Sequence, residues 1–374
     1  MAADWSRSIV DADAFEHEQN CLARVWTFLG LTVDLANDGD WFTTTLATRS
    51  VFVQRFGAEL RCFENVCPHR GYPMRVGERG NGPLLCGYHH WLYDAEGRLA
   101  GAPLCRDLFD SLPQEMDVRL NRLELAVCGS LIFGRFPSAS TEETLEQFLG
   151  DGFAILQAAT RMTSRPLYLT SVVEANWHLL MHITLDDYHT VAVHPRSVGK
   201  HGYLKAKEFG YFRFGLHSAL LTTARPNAFE SMLAGCRKGT YRPTHYSILQ
   251  VVPNVVLAIF RTEGDFWHCF VQVFDPLRHD RSRMRVYLYP APFVSRHARL
   301  HRLLDPVFKP FMRHALMRIF NEDNFVCEQQ QKVAHQMESR PRLGRFEERI
   351  EWFEESCSTL VATHASRRAG AGGR

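Results

Sequence analysis

The sequence predicts an α+β protein in two parts: a small antiparallel β domain near the N-terminus, then a larger domain in which an antiparallel sheet wraps around helices. Three observations carry this reading. Between residues 38 and 150 apolar residues recur with period two, in short runs broken by Gly, Asn and Asp. From Pro166 onward, β-like runs are followed by long helical stretches, an order that belongs to α+β and not to an alternating parallel sheet. The 374 residues, 45% of them hydrophobic, are also enough to build two cores.

Phe15 to Phe28 reads as an amphipathic helix, with Phe15, Cys21, Leu22, Val25, Trp26 and Phe28 on its apolar side. It gives residues 1–37 the character of a helical segment packed on the second domain. Trp41 to Leu46, Ser50 to Phe56, Glu59 to Phe63, Leu84 to Gly87 and Leu125 to Arg135 are the expected strands of the first domain, placed at 38–150. Ser140, Thr141, Glu142 and Glu143 have the form of a capping box that opens a short helix ending at Gly150, the seam.

The second domain, 151–364, is expected to open with a strand over Pro166 to Val173 and a helix from Glu174 to about Ala192. Strands follow at Phe212 to Thr223, Ser247 to Val252, Val255 to Phe260, Phe266 to Phe274 and Arg283 to Tyr289. Helices over about 295–318, 322–337 and 345–363 close it, and residues 365–374, rich in Gly, Ala and Arg, read as a disordered tail.

Composition narrows the function classes. The 43 basic and 41 acidic residues are nearly balanced, so no nucleic-acid footprint is expected. No signal pattern opens the chain and no apolar run is long enough to span a bilayer, so no membrane association is expected either. Two of the ten cysteines belong to a motif described next, and the rest are scattered singly. That usage fits buried thiols in a reducing compartment and a cytoplasmic protein.

Cys67 and His69 lie in C-P-H-R-G, and Cys86 and His89 in C-G-Y-H-H-W, with sixteen residues between His69 and Cys86. Each short loop supplies one thiolate and one imidazole. A structural zinc site pairs Cys with Cys two to four residues apart, whereas here both loops are mixed. Two such loops facing each other provide the ligands of a Rieske [2Fe–2S] centre, both thiolates on one iron and both imidazoles on the other.

Further on, helical spacing places His178, His182, Asp186 and His189 on one face and Trp177, Met181, Leu185 and Tyr188 on another. His194 follows just before Pro195, which is expected to end the helix. Alone, such a stripe reads as the solvated side of an amphipathic helix.

Together these pieces resemble one family. C-P-H-R-G, C-x-Y-H-x-W and the following Tyr93 to Leu99 look like the Rieske domain of the Rieske non-heme iron oxygenases. Asn176-Trp177 followed by D-x-Y-H-x4-H, from Asp186 through His189 to His194, resembles that family's iron-binding segment. Glu322 to Gln331 matches its downstream E-D-x-x-V-x-E-x-x-Q. The resemblance implies a helix-grip-like catalytic domain and a mononuclear Fe(II) held by His189, His194 and Asp323, with Glu322 as the alternative carboxylate. Such a two-His, one-carboxylate set leaves coordination positions open. It also implies that Asp186 joins His189 to the cluster ligand His89 of a neighbouring copy, in a head-to-tail homotrimer.

The expected function is the terminal oxygenase component of a multi-component system, a monooxygenase that hydroxylates or oxidatively demethylates a small organic substrate with O2. Cis-dihydroxylation of an aromatic ring is the alternative within the class, and a non-catalytic Rieske electron-transfer protein the alternative outside it. With no G-x-G-x-x-G fingerprint, NAD(P)H and flavin are expected to belong to a partner reductase, with or without a ferredoxin. Phe209, Phe212, Phe214, Leu216 and Leu220 are candidates to line the substrate pocket, or the core. Three positions depart from the pattern: His90 where Gly is usual, His182 and Ile183 where Glu-Asn is common, and His178 where Lys is common.

Overall fold

The structure is a computed structural model, and it describes residues 5–138, 142–161, 165–197, 209–223, 225–262, 266–290, 298–337 and 341–365. Ser140 and Thr141 of the expected capping box, and residues 366–374 of the expected tail, lie outside the described residues.

Helices α1 (Trp5–Val10) and α2 (Ala12–Leu22) open the chain. Strands β1 (Thr27–Leu31), β2 (Asp40–Leu46), β3 (Arg49–Phe56), β4 (Glu59–Glu64), β5 (Arg79–Asn81), β6 (Leu92–Tyr93) and β7 (Leu99–Gly101) follow, then helix α3 (Cys105–Phe109) and strands β8 (Arg122–Cys128) and β9 (Leu131–Arg135). Next come α4 (Leu145–Leu149), α5 (Asp151–Thr160), β10 (Leu167–Val173), α6 (Trp177–Leu185), α7 (Thr190–Val193), β11 (Gly210–Phe214), β12 (His217–Leu221) and α8 (Ala228–Lys238). Strands β13 (Ser247–Val251), β14 (Val255–Thr262), β15 (Phe266–Arg278) and β16 (Arg281–Pro290) precede α9 (Ala298–Val333) and α10 (Glu348–Ala365).

The chain divides into two compact units, Ala23–Leu145 and Met1–Leu22 with Glu146–Arg374. In Ala23–Leu145 a seven-stranded antiparallel sheet runs in the order β1-β9-β8-β4-β3-β2-β5, beside the β6-β7 hairpin. Period-two runs such as Val51, Phe52 and Val53 bury their side chains because β3 is covered on both sides, by Leu29, Leu35 and Ile132 on one and by Trp91, Tyr93 and Leu99 on the other. The other unit is built on a second antiparallel sheet, β10-β16-β15-β14-β13-β12-β11. Helix α6 packs on β15 and α9, α9 on β10, and α10 on β12, α6 and α2.

Several elements differ from the sequence reading. The N-terminal helix stops at Leu22, and Phe28 lies in β1, a fully buried strand paired with β9; a run buried on all sides has no amphipathic period to betray it. Leu84 to Gly87 is a loop with one isolated bridge, Leu85 to Leu92. Leu125 to Arg135 and Phe212 to Thr223 each fold as a hairpin, turning at Gly129 (φ +62°) and Gly215 (φ +56°). The helix expected from Glu174 to Ala192 breaks at Asp186 into α6 and α7. The stretches 295–318 and 322–337 belong largely to one continuous helix, α9. Helices α5 and α8 were not anticipated. Phe212 and Phe214 stack on Phe229 of α8, with ring centroids 5.2 and 5.4 Å apart, so these two rings serve the packing of that helix.

Candidate metal centres

In the unit Ala23–Leu145 the two Cys/His loops are closed alike. The Cys67 N–H donates to the Tyr72 carbonyl (2.8 Å) and the Gly71 N–H back to the Cys67 carbonyl (2.9 Å). The Cys86 N–H donates to the Trp91 carbonyl (2.9 Å) and the His90 N–H back to the Cys86 carbonyl (3.0 Å). Gly71 (φ +73°) and His90 (φ +55°) therefore hold matching places, both left-handed. The glycine common after the second histidine is explained by that backbone, and His90 adopts it at a conformational cost.

Cys67 and Cys86 are each 2% exposed, and the Cys86 thiol lies within reach of the Cys67 thiol. The His69 and His89 rings sit 4.7 Å apart, and His69 stacks flat on Trp91 at 4.3 Å. Burial and the neighbouring His89 hold the His69 imidazole below its ordinary 6.5, in the neutral form that a metal ligand needs. The Tyr93 hydroxyl meets Cys67 Sγ at 3.3 Å, while burial pushes that thiol up. His89 Nδ1 is buried with no hydrogen-bond partner among the described residues. Two adjacent sulfurs, two adjacent imidazoles and an unpartnered ring nitrogen fit a [2Fe–2S] cluster of mixed ligation.

The second centre is built by α6, α7 and α9. Asn176 caps α6: its side-chain oxygen accepts from the His178 N–H (2.9 Å), and its amide donates to the Ser8 (2.9 Å) and His279 (2.6 Å) carbonyls. After Leu185 the chain leaves the helix because Asp186 is extended (φ −114°, ψ 112°). Its Oδ1 accepts the N–H groups of Tyr188 (3.0 Å) and His189 (3.4 Å), which starts the next turn. His189 and His194 bracket that turn, α7.

Asp323 arrives from α9. Its Oδ1 lies 2.9 Å from His194 Nε2 and 3.6 Å from His189 Nε2, and one ligand atom from each of the three falls within 4.8 Å of the others. Glu322 Oε2 meets His194 Nδ1 at 2.8 Å, fixing which ring nitrogen faces inward. Asp186 Oδ2 stands 3.6 Å from His189 Nδ1.

Burial pushes the His189 imidazole down, but Asp186 and Asp323 reverse this and lift it to about 10. Asp323, which burial pushes up, is held below its ordinary value by the two histidines. The three groups thus draw positive charge to the point where they converge, which fits a divalent cation. The rest of the downstream motif braces this arrangement: Glu328 accepts from the Glu174 N–H (3.3 Å) and Gln331 from the Asn176 N–H (2.9 Å).

His178 and His182 do not join the triad. They face Glu354 of α10 instead: Glu354 Oε1 lies 2.7 Å from His178 Nδ1 and 2.5 Å from His182 Nε2. Glu18 of α2 accepts from His178 Nε2 (2.8 Å) and from the Trp177 indole (3.3 Å). His178 is fully buried; burial pushes its imidazole down, yet Glu354 and Glu18 raise it to about 10. Its charge is thereby locked between two carboxylates. Nothing in the sequence pairs Glu18 or Glu354 with these histidines, since both lie more than a hundred residues from them.

Comparison with known proteins agrees with this architecture. The Rieske [2Fe-2S] domain profile matches residues 25–114, and that of the ring hydroxylating alpha subunit (catalytic domain) matches residues 157–363. The oxygenase subunit of carnitine monooxygenase from Escherichia coli (strain K12) is 32% identical over 198 residues, 51% of either chain. The large oxygenase component of salicylate 5-hydroxylase from Ralstonia sp is 29% identical over 206 residues, 51% of this chain and 48% of the relative. The chain thus spans about half the length of the curated relatives it matches. Among solved structures, naphthalene 1,2-dioxygenase from Rhodococcus sp. bound to indole shares the fold with a TM-score of 0.75 at 20% identity, covering 97% of this chain and 96% of that one. No described helix is long and apolar enough to cross a membrane. With the catalytic-domain profile alone matching more than half of its length, the chain belongs to the Rieske non-heme iron oxygenase family, as a large (alpha) subunit with a Rieske [2Fe–2S] domain followed by a mononuclear-iron catalytic domain.

Proposed function

We propose that this chain is the terminal oxygenase component of a multi-component Rieske system, a monooxygenase that hydroxylates or oxidatively demethylates a small organic substrate. A ferredoxin, a reductase or both would deliver the electrons, with NAD(P)H and flavin confined to that partner. The observation that carries the reading is the convergence of His189 Nε2, His194 Nε2 and Asp323 Oδ1 in a chain that also folds two matched Cys/His loops. The names of the relatives, a carnitine monooxygenase and a salicylate 5-hydroxylase, support insertion of one oxygen atom.

In this reading Cys67, Cys86, His69 and His89 hold the cluster within the domain at 38–150, and His189, His194 and Asp323 hold the iron within that at 151–364. Bound there, the cluster supplies single electrons and ferrous iron supplies activation of O2. The protein's own work is placement. Glu322 keeps the proton on His194 Nδ1 so that Nε2 faces the metal position, and Asp186 sets a negative charge 3.6 Å from His189 Nδ1 on the opposite side. Asp186 would also reach His89 of the partner subunit in a head-to-tail homotrimer, making assembly a condition of turnover. Ten buried cysteines without disulfides support a cytoplasmic setting.

Iron analysis with substrate-dependent O2 uptake tests the reading. About three Fe per chain is expected, two in the cluster and one mononuclear. His189→Ala should bring this to about two, keep the cluster's visible spectrum and abolish oxygenation. Two Fe in the wild-type chain and no O2 uptake with any reductase would make it an electron carrier. Product labelled from ¹⁸O2 in two positions would make it a dioxygenase.

A further inference from the structure

His178 and His182, which take no part in the iron triad, stand one turn apart on α6 and approach the same atom, Oε1 of Glu354 on α10. One ligand atom from each of these three residues lies within 4.8 Å of the others, as in the triad of His189, His194 and Asp323. The likeness extends outward. Glu322 meets the far nitrogen of His194, and here Glu18 Oε1 meets the far nitrogen of His178, Nε2, at 2.8 Å. A carboxylate behind a ligating imidazole fixes its tautomer and strengthens it as a donor.

The cluster is sealed but incompletely satisfied. His178 is fully buried and the Glu354 side chain is 7% exposed, yet Glu354 Oε2 has no hydrogen-bond partner among the described residues. An anionic oxygen kept from water with nothing to donate to it calls for a cation or a donor supplied from elsewhere. Charge balance favours a divalent cation. With neutral imidazoles the cluster carries the two negative charges of Glu18 and Glu354, and among the described residues no lysine or arginine pairs with either. The His182 side chain, 14% exposed, is the edge by which an ion can enter.

We propose that His178 Nδ1, His182 Nε2 and the two oxygens of Glu354 bind a zinc ion, one per chain and separate from the iron. Two imidazoles with one carboxylate suit zinc, whereas magnesium and calcium prefer oxygen ligands alone, and such a site holds zinc more tightly than ferrous iron. Zinc–ligand distances of about 2.0–2.2 Å require the two ring nitrogens to draw back from Oε1 by roughly 0.5–1 Å from their hydrogen-bonded positions. Glu354 Oε2 then gains its partner, and the ion ties α6, which leads into the triad, to α10. When no zinc is bound, ring protons hold the same atoms together, with His178 charged between Glu354 and Glu18.

The test is metal analysis of the iron-loaded protein after incubation with zinc sulfate and desalting against a weak chelator that strips surface-bound ions. About one zinc per chain should remain in the wild type. His189→Ala, which disables the triad, should keep that zinc, whereas His182→Ala and Glu354→Gln should each lose at least nine-tenths of it with the cluster's visible spectrum unchanged. Should both of the latter fail to fold, diffraction on either side of the zinc absorption edge decides on the wild type, with an anomalous peak expected between His178, His182 and Glu354. A wild type that keeps no zinc, zinc kept by His182→Ala and Glu354→Gln, zinc lost with His189→Ala, or a peak found only at the triad would overturn the proposal.

Discussion

Replacing Glu354 by Gln in the zinc-free protein removes one negative charge from a buried cluster while keeping its shape and one acceptor oxygen, so it probes the charge of His178 first and of His182, which meets the same oxygen, second. In the folded protein His178 keeps its proton to about pH 10 against an ordinary 6.5, and Glu354 is held down to about 2 against 4.5 by His178 and, after it, His182. At 1.36 kcal/mol per pKa unit the His178 change alone corresponds to roughly 5 kcal/mol. The two changes describe one interaction and do not add. Glu18 still faces the imidazole in the variant, so the expected loss is about 2–4 kcal/mol at pH 6, in the range for breaking a buried ion pair. For a unit of this size that is roughly 5–15 °C in Tm.

The raised His178 contributes fully below pH 6.5, and its contribution drains away as pH climbs through about 10. The lowered Glu354 contributes fully above pH 4.5 and is lost as pH falls toward about 2. Thermal melts of wild type and Glu354→Gln near pH 6 and again near pH 9.5 should therefore show a large gap that shrinks severalfold at the higher pH. A gap that does not change with pH, or one below about 1 °C at both, refutes a charged His178.

Further outcomes follow from the two centres. Glu322→Ala frees His194 Nδ1, and the mononuclear iron should be lost to a chelator at about 10–100-fold lower concentration, the cluster's absorbance being unaffected. Asp186→Asn should leave about three Fe per chain but slow oxidation of the reduced cluster on mixing with O2 and substrate; unchanged single-turnover kinetics would remove Asp186 from the electron route. His90→Gly relieves a left-handed residue and should raise the temperature at which the cluster bleaches by a few degrees, the gain in strain being about 1 kcal/mol after the added chain entropy.

The first centre was almost wholly legible, because its four candidate ligands sit in two short loops whose geometry is set by neighbours in sequence. The left-handed backbone at His90 could have been inferred from Gly71, since both residues close a five-residue loop in the same way. The triad was legible only through motifs, as helical periodicity pointed elsewhere. It aligned His178 and His182 with His189, whereas Asp186 breaks the helix with its own side chain and sends the two pairs to different partners. An aspartate inside an amphipathic run carries no mark to distinguish a solvated position from a turn. Glu18 and Glu354 were invisible for a different reason: each acquires its role from residues far away in the chain, and the pairing exists only once the sheet and helices have met.

Gln331 joins two segments that lie far apart in sequence. Its oxygen accepts from the Asn176 backbone, and its NH2 group donates to the carbonyl of Ile9 at 3.0 Å. The same helix carries Asp323, two turns earlier. The stretch around Ser8 and Ile9 is therefore stitched to the rod that presents the carboxylate, and deleting it would unpick a seam of the iron cradle from a segment more than three hundred residues away in sequence.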